Sequence, residues 1–598
     1  MVDIEEYFTC SEGENDIKFY SCEENSDSEL INRFDSLHMS TNDNEGTSAP
    51  IPSKKTRLED KKAHFYQPYI TLPEPIEYGD PLHKLTLIPH VNLCPPCTST
   101  STFLVQIKEL SETSNSCLCP TPFPKEYKDK WSHNFVRMPC SPQNVFPVNK
   151  KLVNRWQLIN ESLSSNISNA ADFVKCTSVY NPSYSSIKNL HLLFDSEEAS
   201  KSFYSNLLPA IIHLALALPE IVTQSVPMLV KGKQHDITMS QQQVACLLAN
   251  AFLGTYPRRN KSNGEYSNYN FINFNGLLSS GSSSSIFQPR KANKLKCILS
   301  YFERILLDGM PTGVITFYRR VLSPEDTPNW LSLKDIHFSR CHISLEGLIE
   351  ERDHALQVDF ANSFIGGGVL NTGCVQEEIR FVICPELLVS LLFSERMDAN
   401  EAIVIVGSER FCSYTGYADT FQFSRPFFDQ VMCDSWGRKC TVVTAIDAIS
   451  YSYGRTKQQY QQHAIERDLK KAYIGFKPLE DGNKTAVATG NWGCGAFKGD
   501  PLLKFLIQWM AASVAGRDVI YYTFGDAVLT ENLGIIYKYI REFNCSISNV
   551  FLIIQNFYNN YPQKQDRTHF RDYVLNEDTW SFNWDEFDND EDFKANTP

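Results

Sequence analysis

The chain has 598 residues, 42% of them hydrophobic, and a formal net charge of −14. That supplies a sizeable core and allows about four domains, or one large core with accessory helices. The acidic balance argues against long basic grooves that bind nucleic acid through stripes of Lys and Arg. The 18 cysteines are scattered, with no N-terminal apolar signal segment before them, and read as free thiols of a reducing compartment.

Residues 1–64 are rich in Ser, Asn, Asp and Glu and bury too little to offset the entropy of ordering, so the first segment is expected to be disordered. Within it, Ser53-Lys-Lys-Thr-Arg57, followed by Lys61 and Lys62, has the composition of a short nuclear import signal. Residues 65–230 are expected to form a mainly helical accessory region. Cys94 and Cys97 with Cys117 and Cys119 lack the second two-residue gap of a zinc ribbon, and no metal is expected. Leu207 to Val222 is apolar but interrupted by Pro209, His213 and Pro219. It is shorter than the roughly 20 residues a spanning helix needs, so it reads as a buried helix.

Between about 130 and 330 the helical period dominates. Ser240 to Gln243 has the capping-box pattern, and Val244, Leu247, Leu248, Ala251 and Phe252 make one apolar face behind it. Residues 260–264 and the serine run 279–285 read as surface loops. From about 330, short β-rich runs alternate with helices: Leu356–Phe360, Ala402–Val406, Val442–Ile446, Thr485–Thr489 and Val519–Phe524. Pro385 breaks the helix that starts near Glu378, and Asp500-Pro501 is a strong helix start. The alternation predicts an α/β layered domain over 231–576, with ligands bound outside the strand ends. Residues 577–598 read as an acidic, aromatic-studded interaction tail.

The chemistry concentrates between Gln357 and Arg380. A strand ends near Asn362, Gly366, Gly367 and Gly368 follow, and a helix opens with Gln376, Glu377 and Glu378. Three glycines in a row fit a backbone at positive φ or a ligand that comes closer than a Cβ allows. Their N–H groups, with a helix N-terminus behind them, suit a phosphate. The two glutamates also fit a plain helix start, where carboxylates are stabilised by the dipole. Neighbouring helical residues project about 100° apart, so the two carboxylates have different jobs.

Gly-Gly-Gly, seven residues, then Gln-Glu-Glu resembles the signature of the poly(ADP-ribose) glycohydrolases, which are built on an ADP-ribose-binding macrodomain. Similar blocks follow the family's order at Pro122–Trp131, Ile237–Gln243, Glu409–Tyr417, Ala488–Phe497 and Thr523–Asp526. The resemblance implies a macrodomain-like mixed sheet flanked by helices, and hydrolysis of ribose–ribose bonds of poly(ADP-ribose), chiefly from the free end. Such cleavage needs an acid, a base for water and stabilisation of an oxocarbenium-like centre.

By the same resemblance Glu378 is the acid and base, Glu377 orients ribose hydroxyls, and Asp359 fixes the ribose or a glutamate. Gly366, Gly367 and Gly368 would form one wall of the diphosphate cradle. Gly490, Asn491, Gly493 and Gly495 would form the other, with Phe497 pressing on the terminal ribose. Phe524 matches the adenine-stacking position, and Ile349 and Glu350 the adenine-edge contacts. Tyr417 would cover ribose and diphosphate, and Phe360, Asn362, Gln376 and Asn491 complete the substrate contacts. Trp492 and Phe497 also fit ordinary core packing.

The expected partners are poly(ADP-ribose) and proteins that carry it, with no cofactor, no membrane and no sequence-specific nucleic acid. A monomer in nucleus and cytoplasm, serving the response to DNA damage, completes the expectation. The rival is a macrodomain that binds ADP-ribose without cutting it. Binding needs the glycine cradles and Phe524 but not both glutamates, which favours the enzyme.

Overall fold

The computed structural model describes residues 76–581, except 88–98, 107–118, 188–189, 191–193, 259–266, 280–288, 453, 480–481, 483 and 562–564. The N-terminal segment, the basic cluster at Ser53–Arg57, Cys94, Cys97, Cys117, residues 260–264, most of the serine run and the tail beyond Ser581 lie outside the described residues.

Ten strands make one mixed sheet: β1 (Glu77–Gly79), β2 (Ser101–Phe103), β3 (His235–Ser240), β4 (Val314–Val321), β5 (Cys341–Ser344), β6 (Leu356–Asp359), β7 (Glu401–Val406), β8 (Val442–Ala445), β9 (Val487–Gly490) and β10 (Val519–Tyr522). Their order is β1-β5-β10-β9-β6-β8-β7-β4-β3-β2. The run β5, β10, β9, β6, β8 is parallel. β8, β7, β4 and β3 then pair antiparallel. All five strand runs read from the sequence are members of this sheet.

Side-chain alternation makes two apolar layers. In β7 every residue is buried; Ile403 and Ile405 enter one layer, while Ala402, Val404 and Val406 enter the other, as period two requires of a sheet covered on both faces. The first layer contains α1 (Gln241–Phe252), α2 (Pro289–Glu303) and α3 (Gln376–Ile383). The second contains α4 (Gln462–Phe476), α5 (Pro501–Val514), α6 (Ala527–Glu542) and α7 (Ile547–Asn560).

Local signals act as read. Ser240 Oγ accepts from Gln243 N at 3.1 Å while Gln243 Oε1 accepts from Ser240 N at 3.0 Å, closing the capping box of α1. Asp500 Oδ1 accepts from Leu502 N at 2.9 Å, with Pro501 opening α5. α3 stops at Ile383, and Pro385 starts a separate 3₁₀ turn, Pro385–Val389. Leu207 to Val222, read as one buried helix, is instead two, Leu208–Leu216 and Leu218–Ile221, and Pro209 and His213 of the first are exposed. Among the described residues no helix is long and apolar enough to cross a membrane.

Three further findings differ from the sequence reading. β3 and β4 run through a stretch where the helical period dominates, and β4 carries Arg319-Arg320 just before its last residue, Val321. Arg319 is buried there because its guanidinium meets Glu401 of β7 at 2.5 Å and the Glu395 carbonyl at 2.6 Å. The stretch read as helical accessory also supplies β1 and β2 to the edges of the sheet; three-residue strands are too short to show a period. Finally, the acidic tail does not begin at residue 577. Trp580 is fully buried, and its indole N–H donates to the Val574 carbonyl at 2.8 Å, so the chain packs on the second layer through that residue.

Candidate active site

The parallel strands present their carboxyl ends side by side. Asp359 closes β6 opposite Ala445 of β8, and Gly490 closes β9 opposite Tyr522 of β10.

Beyond β6 the signature loop folds back on α3. Phe360 N donates to Gln376 Oε1 at 2.8 Å, and Gln376 Nε2 donates to the Val358 carbonyl at 3.0 Å, so the Gln376 amide pins the strand end to the first helical turn. Glu377 accepts from Asn362 N at 2.8 Å and from Gly366 N at 2.6 Å. Glu378 accepts from Gly368 N and Val375 N, both at 2.9 Å. Gly367 N donates to the Phe364 carbonyl at 3.1 Å. The three glycine amides therefore bind groups of the protein itself: those of Gly366 and Gly368 orient the two glutamates, and that of Gly367 closes the turn. Gly367 has φ +49°, and a Cβ there would lie 2.5 Å from Glu378 Oε1 and 2.6 Å from Glu377 Oε2.

The three carboxyl groups differ in depth. Asp359 is fully enclosed, Glu377 is 3% exposed and Glu378 is 6% exposed. Neither Asp359 oxygen has a hydrogen-bond partner. Burial pushes Asp359 up to about 8, with Arg380 opposing and the charge of Glu378 adding to it. Glu377 is pushed well above the usual carboxylate range by burial, then by Asp359 and Glu378, against the pull of the Asn362 and Gly366 amides. Enclosed charges that repel one another favour the protonated form, which is why Asp359 and Glu377 both lie above the usual carboxylate range.

A second group gathers at the β9–β10 edge. Ile349 is buried with Ala355, Ala486, Ala488, Ile520 and Tyr522, and Phe360 and Phe524 pack against this cluster. Phe524 sits at φ +55°, a strained conformation for an aromatic residue. A Cβ on Gly490 would lie 2.6 Å from the Phe524 ring, so glycine there lets the ring lean on the strand end. Phe360 belongs to both groups and joins them.

Glu350 accepts from the Tyr414 hydroxyl at 2.6 Å. Tyr417 follows on the same hairpin and is 53% exposed. Its neighbour Ala418 donates to the Cys374 carbonyl at 3.1 Å, which ties this hairpin to the signature loop. Asn491 is held by Tyr521, whose hydroxyl donates at 3.1 Å, and by the Thr523 carbonyl at 3.3 Å. Trp492 is core: it is fully buried and donates from its indole to the Ile446 carbonyl at 2.9 Å. Phe497 is half-buried against the second layer, with its carbonyl on Tyr451 N at 2.8 Å. Gly493 takes φ +72°, whereas a Cβ on Gly495 would meet open space.

The sequence reading missed Gly373, where a Cβ would lie 2.6 Å from Glu378 Oε1; a fourth glycine so close to the glutamates was a visible signal. It also missed Arg380, the buried cation that opposes the shift of Asp359. Among the described residues no group of His, Cys, Asp and Glu is arranged to hold a metal ion, and every described cysteine is a free thiol.

Comparison with known proteins agrees with this arrangement. Residues 327–531 match the family described as poly (ADP-ribose) glycohydrolase, Macro domain fold, and residues 195–319 match its helical domain. Poly(ADP-ribose) glycohydrolase 1 of Arabidopsis thaliana is 32% identical over 469 residues, covering 64% of this chain and 84% of that protein. Probable poly(ADP-ribose) glycohydrolase 2 of the same plant is 34% identical over 432 residues, 61% of this chain and 79% of that protein. Poly(ADP-ribose) glycohydrolase 1 of Caenorhabditis elegans is 34% identical over 403 residues, 65% of this chain and 47% of that protein. With three buried carboxyl groups at the ends of the sheet and both parts of the family's catalytic region in order, the chain belongs to the poly(ADP-ribose) glycohydrolase family.

Proposed function

We propose that the chain hydrolyses ribose–ribose bonds of poly(ADP-ribose) from the free end, with Glu378 as acid and base. The graded burial of the three carboxyl groups carries this reading: Glu378 is the outermost of them. In the first step Glu378 gives its proton to the departing ribose oxygen as the glycosidic bond breaks, leaving an oxocarbenium-like carbon. Water then attacks that carbon and returns a proton to Glu378, so the enzyme ends as it began. Glu377, fixed by two backbone amides, orients the ribose hydroxyls.

The burial that favours the protonated forms of Asp359 and Glu377 limits the negative charge beside an anionic substrate. Phe524 and Ile349 supply the apolar ground for adenine, with Glu350, aligned by Tyr414, at its edge.

The test is purified full chain in chelator with labelled poly(ADP-ribose), beside Glu378→Gln and Glu377→Gln. Glu378→Gln is expected to lose about 10²–10⁴-fold in turnover, the usual worth of an acid–base group, while ADP-ribose affinity stays within a few-fold. Equal loss of binding would remove the acid assignment. No product from the unaltered chain, with tight binding intact, would make it a reader of the polymer.

A further inference from the structure

We infer that Lys294 of α2 is a positioning residue for the catalytic glutamates, holding the loop between the glycine triplet and α3 in its working shape. The inference rests on the hydrolase reading above.

Lysine is almost never fully buried without a partner, yet Lys294 has no exposed surface. Its ammonium donates to the carbonyls of Val369 at 2.8 Å, Asn371 at 2.8 Å and Gly373 at 2.5 Å. An ammonium has three N–H donors and no acceptor, and here all three go to one turn of one loop. That turn lies between Gly368 and Val375, the two residues whose amides hold Glu378. Gly373 is also the glycine on which a Cβ would lie 2.6 Å from Glu378 Oε1. Three carbonyls converging on one point need a cation to offset their mutual repulsion, and Lys294 is that cation. Burial pushes it down to about 8, while the charges of Cys374 and Glu378 pull it back up.

The first layer thereby gains a role beyond covering the sheet. α2 also anchors its own approach through Lys291, which donates to the carbonyls of Gly276 at 2.9 Å and Ser279 at 3.1 Å. A Cβ on Gly276 would strike the Asn371 side chain, so the segment held by Lys291 packs directly on the loop held by Lys294.

Lys294→Met keeps length and apolar stem and removes the donors. Lys294→Arg keeps the charge, but its planar fork cannot converge on three carbonyls. Both are compared with the unaltered full chain by thermal melting, amide hydrogen exchange across residues 366–375, ADP-ribose affinity and steady-state hydrolysis.

For Lys294→Met the expected result is a cooperative melt, faster exchange confined to 366–375, and kcat lower by about 10²-fold, the effect of misplacing a catalytic group by an ångström. KM and ADP-ribose affinity are expected to stay within a few-fold, and Lys294→Arg to recover kcat only in part. Unchanged exchange in 366–375, or activity that falls only with the folded fraction, overturns the inference. If Lys294→Met does not fold, Lys294→Arg carries the same two criteria. An unaltered chain that releases no ADP-ribose removes the hydrolase reading instead, and the exchange comparison still decides whether Lys294 fixes the loop.

Discussion

Gly367 is enclosed by the two oxygens that matter most. At φ +49° and with both glutamates within 2.6 Å of where a Cβ would stand, alanine there must push at least one carboxylate aside. Gly367→Ala is therefore expected to lower turnover by about 10²-fold and stability by about 1 kcal/mol through the left-handed backbone, with a smaller effect on ADP-ribose affinity. Single-turnover kinetics with a separate binding titration check it; equal losses in both would mean that the glycine serves the ligand directly.

Asp359 gives a prediction with a sign. An unfolded Asp titrates near about 3.9, and the buried one is raised to about 8. Between those values the folded chain keeps a proton that the unfolded chain has released, so this contribution to stability is full below the lower value and is lost as pH rises through the upper one. Asparagine cannot titrate. Relative to the unaltered chain, Asp359→Asn should gain about 1–3 °C in melting temperature on going from about pH 5 to about pH 8. Parallel melting curves across that interval would place the proton elsewhere. Glu386, also raised to about 8 by burial, is common to both chains and cancels in the comparison.

At the scale of elements, the strands next to the site were legible because parallel strands covered on both faces are written as apolar runs of the right length. β8, β9 and β10 read this way, as does the antiparallel β7, which is buried on both faces; β6 read by its alternation of apolar and polar residues, and the parallel β5, Cys341–Ser344, did not read at all. β4 did not, because its Arg319 is satisfied only by Glu401 and by carbonyls far along the chain. The glutamates and glycines were legible by residue type, but what the glycine amides face was not: that depends on where α3 places Glu377 and Glu378 after folding. Nor does Lys294 differ in sequence from a surface lysine. Phe524 shows what geometry adds. A phenylalanine in the left-handed region is held there against local preference, and Gly490 makes room for its ring. Phe524→Ala removes the proposed adenine-stacking face and is expected to weaken ADP-ribose binding by about 1–3 kcal/mol while turnover at saturation changes little. Calorimetric titration decides it; unchanged affinity would return Phe524 to packing alone.

For the whole molecule the question is how a chain of net charge −14 handles a polyanion. A protein that tracks a polymer by neutralising six to ten phosphates loses about 10³–10⁵ in affinity between about 50 and 200 mM salt, because each contact releases counterions. On the proposed reading the site meets one ADP-ribose unit chiefly by stacking at the strand ends, so it would neutralise few charges, and repulsion from the remaining surface would disfavour laying a long tract across it. KM for poly(ADP-ribose) is accordingly expected to rise by less than about tenfold over the same salt interval. The earliest products should be single ADP-ribose units, with the remaining polymer shortening gradually. Product sizing at low conversion, repeated at each salt concentration, measures both. Early oligomers together with a steep salt dependence would require a groove along the polymer, and the net charge would then have to be offset by a local basic track; single units with a shallow dependence place recognition at the chain end, where the parallel strands and the carboxyl groups of the signature loop meet.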